Sequence, residues 1–169
     1  MIIRLAEETD IPEMARIRSA ECADEAFWID RIARYRSGDH SPRQALPERA
    51  ILVACDEGAV LGFIAGHRTR RLDCDGELQW LNVDVHHRGR GIADGLIARM
   101  GEWFLAQEAG RICVNVAPDN RAARQVYARC GARALNDQHD QWMIWEDARR
   151  MGRDARGRDH DAAHPLPEP

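Results

Sequence analysis

The spacing of hydrophobic and polar residues predicts that strands and helices alternate along the chain. Short apolar runs bounded by turn-forming residues are typical of strands, and they cover residues 2–6, 49–56, 59–69, 77–85, 111–116 and 141–146. Apolar positions that recur at helical spacing are typical of amphipathic helices, and they cover residues 10–19, 24–36, 91–107 and 120–130. Residues 37–47 and 70–76 are predicted to be loops.

Turn-forming residues support these boundaries. Thr9 or Asp10 can cap the first helix, and Pro12 suits its first turn. Glu57-Gly58 joins two apolar runs as a hairpin, and Gly110 closes the helix over residues 91–107. The order of the elements predicts a mixed sheet with helices on its faces, an α/β sandwich.

The length and the end of the chain define the domain organisation. A chain of 169 residues suffices for one domain with a hydrophobic core. After Arg149 the sequence is mostly Arg, Asp, Gly, His and Pro, with Met151 and Leu166 as the only large apolar side chains. Such a segment buries too little surface to offset its ordering entropy. We therefore expect a folded domain over residues 1–149 and a polar, disordered tail over residues 150–169.

The charge, the cysteines and the apolar runs argue against several classes of protein. The net charge of −4 argues against a nucleic-acid partner, because phosphate contacts require a basic surface. The 5 cysteines are widely spaced and include no Cys-x-x-Cys pair, so neither a disulfide framework nor a metal site is expected. No apolar run reaches the ~20 residues that cross a membrane. The acidic start lacks the features of a secretory signal, which indicates a cytoplasmic protein.

The most informative segment is a strand followed by a glycine-rich turn and a helix. A helix N-terminus leaves backbone N–H groups unpaired and carries a partial positive charge. Gly89 and Gly91 let the backbone approach an anion closely, and Arg88 and Arg90 add positive charge. Together these features predict a diphosphate site. A plain surface loop remains the alternative, because the dinucleotide pattern Gly-x-Gly-x-x-Gly is incomplete here.

Two segments resemble the GNAT superfamily of N-acetyltransferases. Residues 88–93 read Arg88-x-x-Gly91-x-Ala93, and residues 120–131 read Asn-x-x-Ala-x-x-x-Tyr-x-x-x-Gly. The resemblance implies a mostly antiparallel sheet in a single-domain α/β/α sandwich, with acetyl-coenzyme A as co-substrate and no metal. It also implies a set of residues that contact coenzyme A: Val83, Asp84, Val85, Arg88, Gly89, Arg90, Gly91, Ile92, Ala93 and Asn120. Val85 stands where many relatives have proline, and Ala132 stands where they have an aromatic residue.

Tyr127 is the candidate general acid. In relatives the matching tyrosine gives a proton to the departing sulfur, which a phenol can do. A tyrosine held in the core by a hydrogen bond is the alternative. Asn120 lies on the same side of the helix, where it either contacts the cofactor or caps the helix.

Glu77 is the candidate general base, which would accept the amine proton directly or through water. Its offset from Val83 matches the glutamate of the histone-acetyltransferase branch, and its apolar neighbours predict a raised pKa. An exposed strand end is the alternative reading of Glu77. Asp84 and His87 are lesser candidates, and a water chain without a dedicated base stays open.

The resemblance implies direct attack by a primary amine in a ternary complex. The acceptor is a small molecule or a protein amino group, and the sequence does not distinguish them. A homodimer is possible. Two alternatives stay open: a module that senses acyl-coenzyme A without turnover, and an acyltransferase that uses a longer acyl chain.

Overall fold

The computed structural model describes residues 1–20, 24–136 and 139–152. Seven strands form one sheet in the order β1-β2-β3-β4-β5-β7-β6. The strands are β1 (Ile2–Leu5), β2 (Ala45–Asp56), β3 (Ala59–Thr69), β4 (Gly76–Val83), β5 (Ile112–Asn115), β6 (Arg133–Ala134) and β7 (Trp142–Trp145). The helices are α1 (Ile11–Ser19), α2 (Glu25–Ser37), α3 (Ile92–Ala106) and α4 (Arg121–Arg129). Short 3-10 turns include Glu8–Asp10, Arg71–Asp73, Val85–His87 and Ala148–Arg150.

The sheet is continuous, but β4 and β5 pair over only part of their length. All other neighbouring strands pair antiparallel, whereas β4 and β5 pair in parallel. Their ladder ends at Leu78 and Val114, although β4 continues to Val83. A register shift in the pairing of β3 with β4 places a bulge at Gln79. The two strands therefore separate in the middle of the sheet and leave a gap beside the end of β4.

Each face of the sheet is covered by helices. Helices α3 and α4 cover one face, where their apolar side chains meet those of the sheet: Leu52, Ile64, Leu96, Ile97, Met100, Phe104, Tyr127 and Trp145. Helices α1 and α2 cover the other face with a second core: Met14, Ile17, Trp28, Ile32, Tyr35, Val53, Phe63 and Trp80. The predicted single-domain α/β/α sandwich with a mostly antiparallel sheet is confirmed.

Several predicted boundaries are wrong. Strand β2 begins at Ala45, and the short strand β6 is absent from the sequence prediction, because its exposed Arg133 and Ala134 carry no apolar pattern. Strand β4 ends at Val83, since Asp84 caps the 3-10 turn that follows. Helix α3 ends at Ala106, and the left-handed residue that follows it is Glu108, with φ of 56°, and not Gly110.

The packed region extends beyond Arg149. Ala148 and Met151 are buried in the same core as α3, and Gly152 is also buried. The polar segment therefore begins later than residue 150, because Met151 supplies an apolar anchor. The rest of the predicted tail, residues 153–169, lies outside the described residues. Within the described ranges, no helix is long and apolar enough to span a bilayer.

Candidate active site

A cleft of about 470 Å³ opens beside the end of β4, between α3 and α4. Its floor is the last part of β4, and its two walls are the loop before α3 and the exposed side of α4. The lining residues include Leu81, Asn82, Val83, His87, Arg88, Gly89, Gly91, Ile92, Ala93, Asp94, Asn120, Ala123, Val126, Tyr127 and Arg129. We call this the central cleft. It joins the two sequence motifs, which are far apart along the chain.

The loop before α3 has the geometry of an anion site. Gly89 and Gly91 have φ of 76° and 77°, a conformation that residues with a β-carbon rarely adopt. Gly91 directly precedes the first residue of α3, Ile92, so the free N–H groups of the first helical turn lie at the cleft. The space in front of both glycines is open, since a β-carbon at either position would meet no atom within 4 Å. The loop therefore has room and free N–H groups for an anion such as a diphosphate.

Tyr127 on α4 lines the same cleft but is largely buried. Its ring meets Trp145 edge-to-face at 5.7 Å, and only 6% of the residue is exposed. Burial raises the pKa of the Tyr127 hydroxyl above its ordinary value of 10, and the charge of Arg18 opposes this only in part. The hydroxyl is therefore protonated at neutral pH.

Asn120 caps α4. Its side-chain oxygen accepts a hydrogen bond from the Ala123 N–H at 3.1 Å, which is the capping role that the sequence left open. Asn120 also lines the central cleft, so capping does not remove it from reach of a ligand.

The walls of the cleft are joined by an ion pair that sequence reasoning missed. Arg129 of α4 donates to both carboxylate oxygens of Asp94 on α3, at 2.6 and 3.1 Å. Asp94 also accepts a weak contact from the Cys130 thiol at 3.6 Å. The two charged residues are 35 positions apart, so no local spacing could have revealed the pair. The pair links α4 to α3 across the cleft.

Asp84 lies outside the lining of the central cleft and makes structural contacts instead. Its carboxylate accepts from Arg16 of α1 at 2.8 Å, from the His86 N–H at 2.9 Å and from His87 at 3.3 Å. Its own N–H donates to the Leu61 carbonyl at 2.9 Å, so β3 already uses that group. The hydrogen bond from Arg16 is the main reason that the pKa of Asp84 falls from 3.8 to about 2.

We expect Asp84→Asn to destabilise the fold by about 1 kcal/mol at neutral pH, because the half-exposed Arg16 loses its buried partner. Since the folded-state pKa of Asp84 is below its ordinary value of 3.8, this stabilisation is complete above that value and is lost as pH falls through about 2. Urea unfolding of both proteins between neutral pH and pH ~2 measures the difference.

The matched control is Glu13→Gln, which removes the exposed partner of the same Arg16. It should change stability little. A difference between the unaltered protein and Asp84→Asn that stays constant across the whole pH range would contradict this role of Asp84.

Glu77 lies on the α1–α2 face of the sheet, paired in register with His67 and Cys113. It is 5% exposed, so the interpretation of an exposed strand end is wrong. Its Oε2 accepts from Arg71 Nε at 2.9 Å and from the Thr69 hydroxyl at 3.4 Å, and His67 Nε2 is 3.6 Å away. The carboxylate is therefore part of a buried polar network.

The predicted raised pKa of Glu77 is wrong. Burial acts to raise the pKa of this carboxyl, but the adjacent His67 ring and the Arg71 guanidinium together lower the pKa below its ordinary value. The sequence pattern showed the apolar neighbours of Glu77 but not its charged partners. Glu77 is therefore ionised at neutral pH and forms an ion pair with Arg71.

The central cleft brings together most of the predicted cofactor-contacting residues and leaves out a few. It includes Val83, Arg88, Gly89, Gly91, Ile92, Ala93 and Asn120, together with Tyr127. Val85 and Arg90 are exposed outside the described lining, and Asp84 faces Arg16. Within the described residues no group of His, Cys, Asp and Glu side chains could hold a metal ion.

Comparison with known proteins gives matches over the part of the chain that contains the central cleft. The model of the acetyltransferase (GNAT) family matches residues 15–132, which is most of the chain. N-acetylaspartate synthetase of Danio rerio is 31% identical over 88 residues, covering 52% of this chain and 31% of that protein. Acetyltransferase plu1384 of Photorhabdus laumondii is 33% identical over 88 residues, covering 52% of this chain and 54% of that protein. The chain thus spans about half or less of the length of these curated relatives.

A solved structure extends the likeness of the fold to nearly the whole chain. The yncA protein of Salmonella typhimurium, solved with its cofactor acetyl-CoA, superposes with a TM-score of 0.64 at 16% sequence identity. The match covers 97% of this chain and 98% of that one. With the family match, the partial pairing of β4 with β5 and the glycine loop at the start of α3, the chain belongs to the acetyltransferase (GNAT) family.

Proposed function

We propose that the protein transfers an acetyl group from acetyl-coenzyme A to a primary amine by direct attack in a ternary complex. One observation carries the proposal: the left-handed glycines at the start of α3 and the buried phenol of Tyr127 line the same cleft. The glycines suit the binding of an anion, and the phenol suits the donation of a proton. Acetyl transfer from a diphosphate-bearing thioester needs both in one place.

The loop of residues 88–93 would hold the diphosphate. The N–H groups at the start of α3 and the partial charge of the helix favour a doubly charged anion, and Arg88 adds a side-chain charge. Arg88 Nε donates to the Val83 carbonyl at 3.2 Å, which ties the loop to the end of β4. The central cleft extends from this loop to Tyr127. The bound thioester supplies the acetyl group.

Tyr127 acts as the general acid. Because burial keeps its hydroxyl protonated, a proton is available when negative charge develops on the departing sulfur. The ring is fixed by its contact with Trp145, whose indole N–H donates to the Cys130 carbonyl at 2.8 Å. The phenol is therefore oriented before a ligand arrives, which reduces the reorganisation needed during the reaction.

Glu77 accepts the proton of the attacking amine, directly or through water. Amines of this kind are mostly protonated at neutral pH, so a proton must leave before attack. Glu77 is an ionised carboxylate close to the point where β4 and β5 separate. Glu77 lies outside the lining of the central cleft, on the α1–α2 face of the sheet, whereas Tyr127 lines the cleft on the α3–α4 face. The base and the acid would thus act from opposite sides of the sheet.

Release of free thiol from acetyl-coenzyme A, measured with a panel of amines, tests this function. The panel contains spermidine, a free amino acid, an aminoglycoside and a lysine peptide with blocked ends. We expect thiol release that depends on at least one of these amines. Tight binding of acetyl-coenzyme A without release for any amine would favour a sensor, and faster release from a longer acyl-coenzyme A would change the donor.

A further inference from the structure

Arg71 covers the carboxylate of Glu77. Its Nε donates to Glu77 Oε2 at 2.9 Å, and its guanidinium carbon lies 5.1 Å from the centre of the Trp142 ring. The Glu77 side chain is 7% exposed, whereas that of Arg71 is 22% exposed. Arg71 is therefore the member of the pair nearer to solvent, and a cation that approaches Glu77 competes with it.

The turn that carries Arg71 is strained. Leu72 and Asp73 both have φ of 55°, in the left-handed region that residues with a β-carbon rarely adopt. Two such residues in succession persist only where surrounding contacts hold them. Arg71 provides three of these contacts, through Glu77, through the Arg43 carbonyl at 2.6 Å and through its N–H to the Thr69 hydroxyl at 3.2 Å. Release of the Arg71 side chain would let the turn relax.

We infer that Arg71 competes with the acceptor amine for Glu77, and that the acceptor enters as an ammonium ion that takes the place of the guanidinium. This inference rests on the proposed function. It assigns Arg71 as a residue that determines specificity, since only a group able to replace a guanidinium beside a buried carboxylate gains access. Trp142 offers an aromatic face beside the same position, and such faces attract organic cations.

The exchange converts Glu77 into a better base. Burial raises the pKa of Glu77, and the adjacent His67 and Arg71 outweigh that effect while Arg71 is bonded to Glu77. When Arg71 leaves, the ammonium N–H bond breaks, an O–H bond forms on Glu77, and the neutral amine keeps the electron pair with which it attacks the thioester carbon. The other titratable or polar groups that face Glu77 stay in place: Tyr35 on α2, His67 and Thr69 on β3, and Cys113 on β5.

The exchange also defines a class of acceptor. An amine with an adjacent carboxylate would bring a second negative charge toward Glu77, which repels it. An aliphatic amine without such a carboxylate replaces Arg71 with no added negative charge. We therefore assign the acceptor to amines such as spermidine or the side chain of a blocked lysine peptide, and not to free amino acids.

Steady-state kinetics of Arg71→Ala test the inference. We expect the KM for spermidine or the blocked lysine peptide to fall about tenfold, because the competing ion pair is removed. We also expect the acidic limb of the kcat/KM profile to move up by about one pH unit, since Glu77 loses a positive neighbour. The KM for acetyl-coenzyme A should not change. Arg71→Gln serves as a second variant that keeps the side-chain stem over Trp142.

Arg70→Ala is the matched control, since it removes the same charge from the exposed neighbouring residue. It should leave both the amine KM and the pH profile unchanged. If both Arg71 variants raise the amine KM, or leave KM and pH profile as in the unaltered protein, the inference is wrong while the proposed function stands. Free amino acids as the best acceptors would also overturn it. If the unaltered protein releases no thiol with any amine, the proposed function fails and the inference fails with it.

Discussion

Gly91→Asp is expected to weaken the binding of acetyl-coenzyme A by on the order of 100-fold, equivalent to about 2–3 kcal/mol. The aspartate places a negative charge where the diphosphate is proposed to lie, at the start of α3. An aspartate at this position is otherwise well tolerated, because it favours the positive end of a helix and because Asp visits the left-handed conformation. Calorimetric titration with acetyl-coenzyme A measures the loss.

Gly91→Asn is the matched control for this prediction. Asn has almost the same size as Asp and tolerates the φ of 77° found at Gly91, but it carries no charge. We expect it to retain affinity within about tenfold of the unaltered protein, since only backbone freedom is lost. Circular dichroism should show that both variants keep the fold. Equal affinity of the Asp and Asn variants would mean that no anion binds beside Gly91.

Tyr127→Phe is expected to lower kcat on the order of 100-fold without changing the affinity for acetyl-coenzyme A. The phenylalanine keeps the edge-to-face contact with Trp145 and removes only the hydroxyl that would protonate the sulfur. Because the loop at Gly91 is untouched, binding of the diphosphate should persist. The comparison of kcat with the dissociation constant from calorimetry separates the two effects.

Tyr35→Phe is the control for this prediction, because it removes the hydroxyl of another buried tyrosine. Tyr35 is fully buried and its hydroxyl bonds His67 at 3.0 Å, away from the central cleft. Tyr35→Phe should therefore lower the free energy of unfolding, and it should lower kcat less than Tyr127→Phe does. An undiminished kcat in Tyr127→Phe would assign Tyr127 to the core alone.

The parts of the site that the sequence predicts are the local ones. A glycine-containing turn before an amphipathic helix is encoded in consecutive residues, and the structure places Gly91 directly before Ile92 at the start of α3. The helix from Asn120 is equally local, because its cap and its tyrosine lie on one short segment. The alternation of strands and helices follows from periodicity, which is why the sandwich architecture could be predicted before its pairing was known.

The parts that could not be predicted depend on contacts between distant segments. The pKa of Glu77 is set by His67 and Arg71, whose positions beside it result from sheet register and from an unusual turn. The ion pair of Asp94 with Arg129 depends on how α4 packs against α3. Asp84 leaves the strand because its side chain caps the following turn, a choice that apolar patterning does not reveal.

The loop at the start of α3 is proposed to bind the diphosphate of a thioester carrier, and every other assignment at the site depends on that binding. Isothermal titration calorimetry of the unaltered, folded protein with acetyl-coenzyme A, and separately with free coenzyme A, tests it most directly. We expect saturable one-to-one binding of both ligands, because they share the diphosphate. Absence of any binding heat for either ligand, from protein shown to be folded, would contradict it.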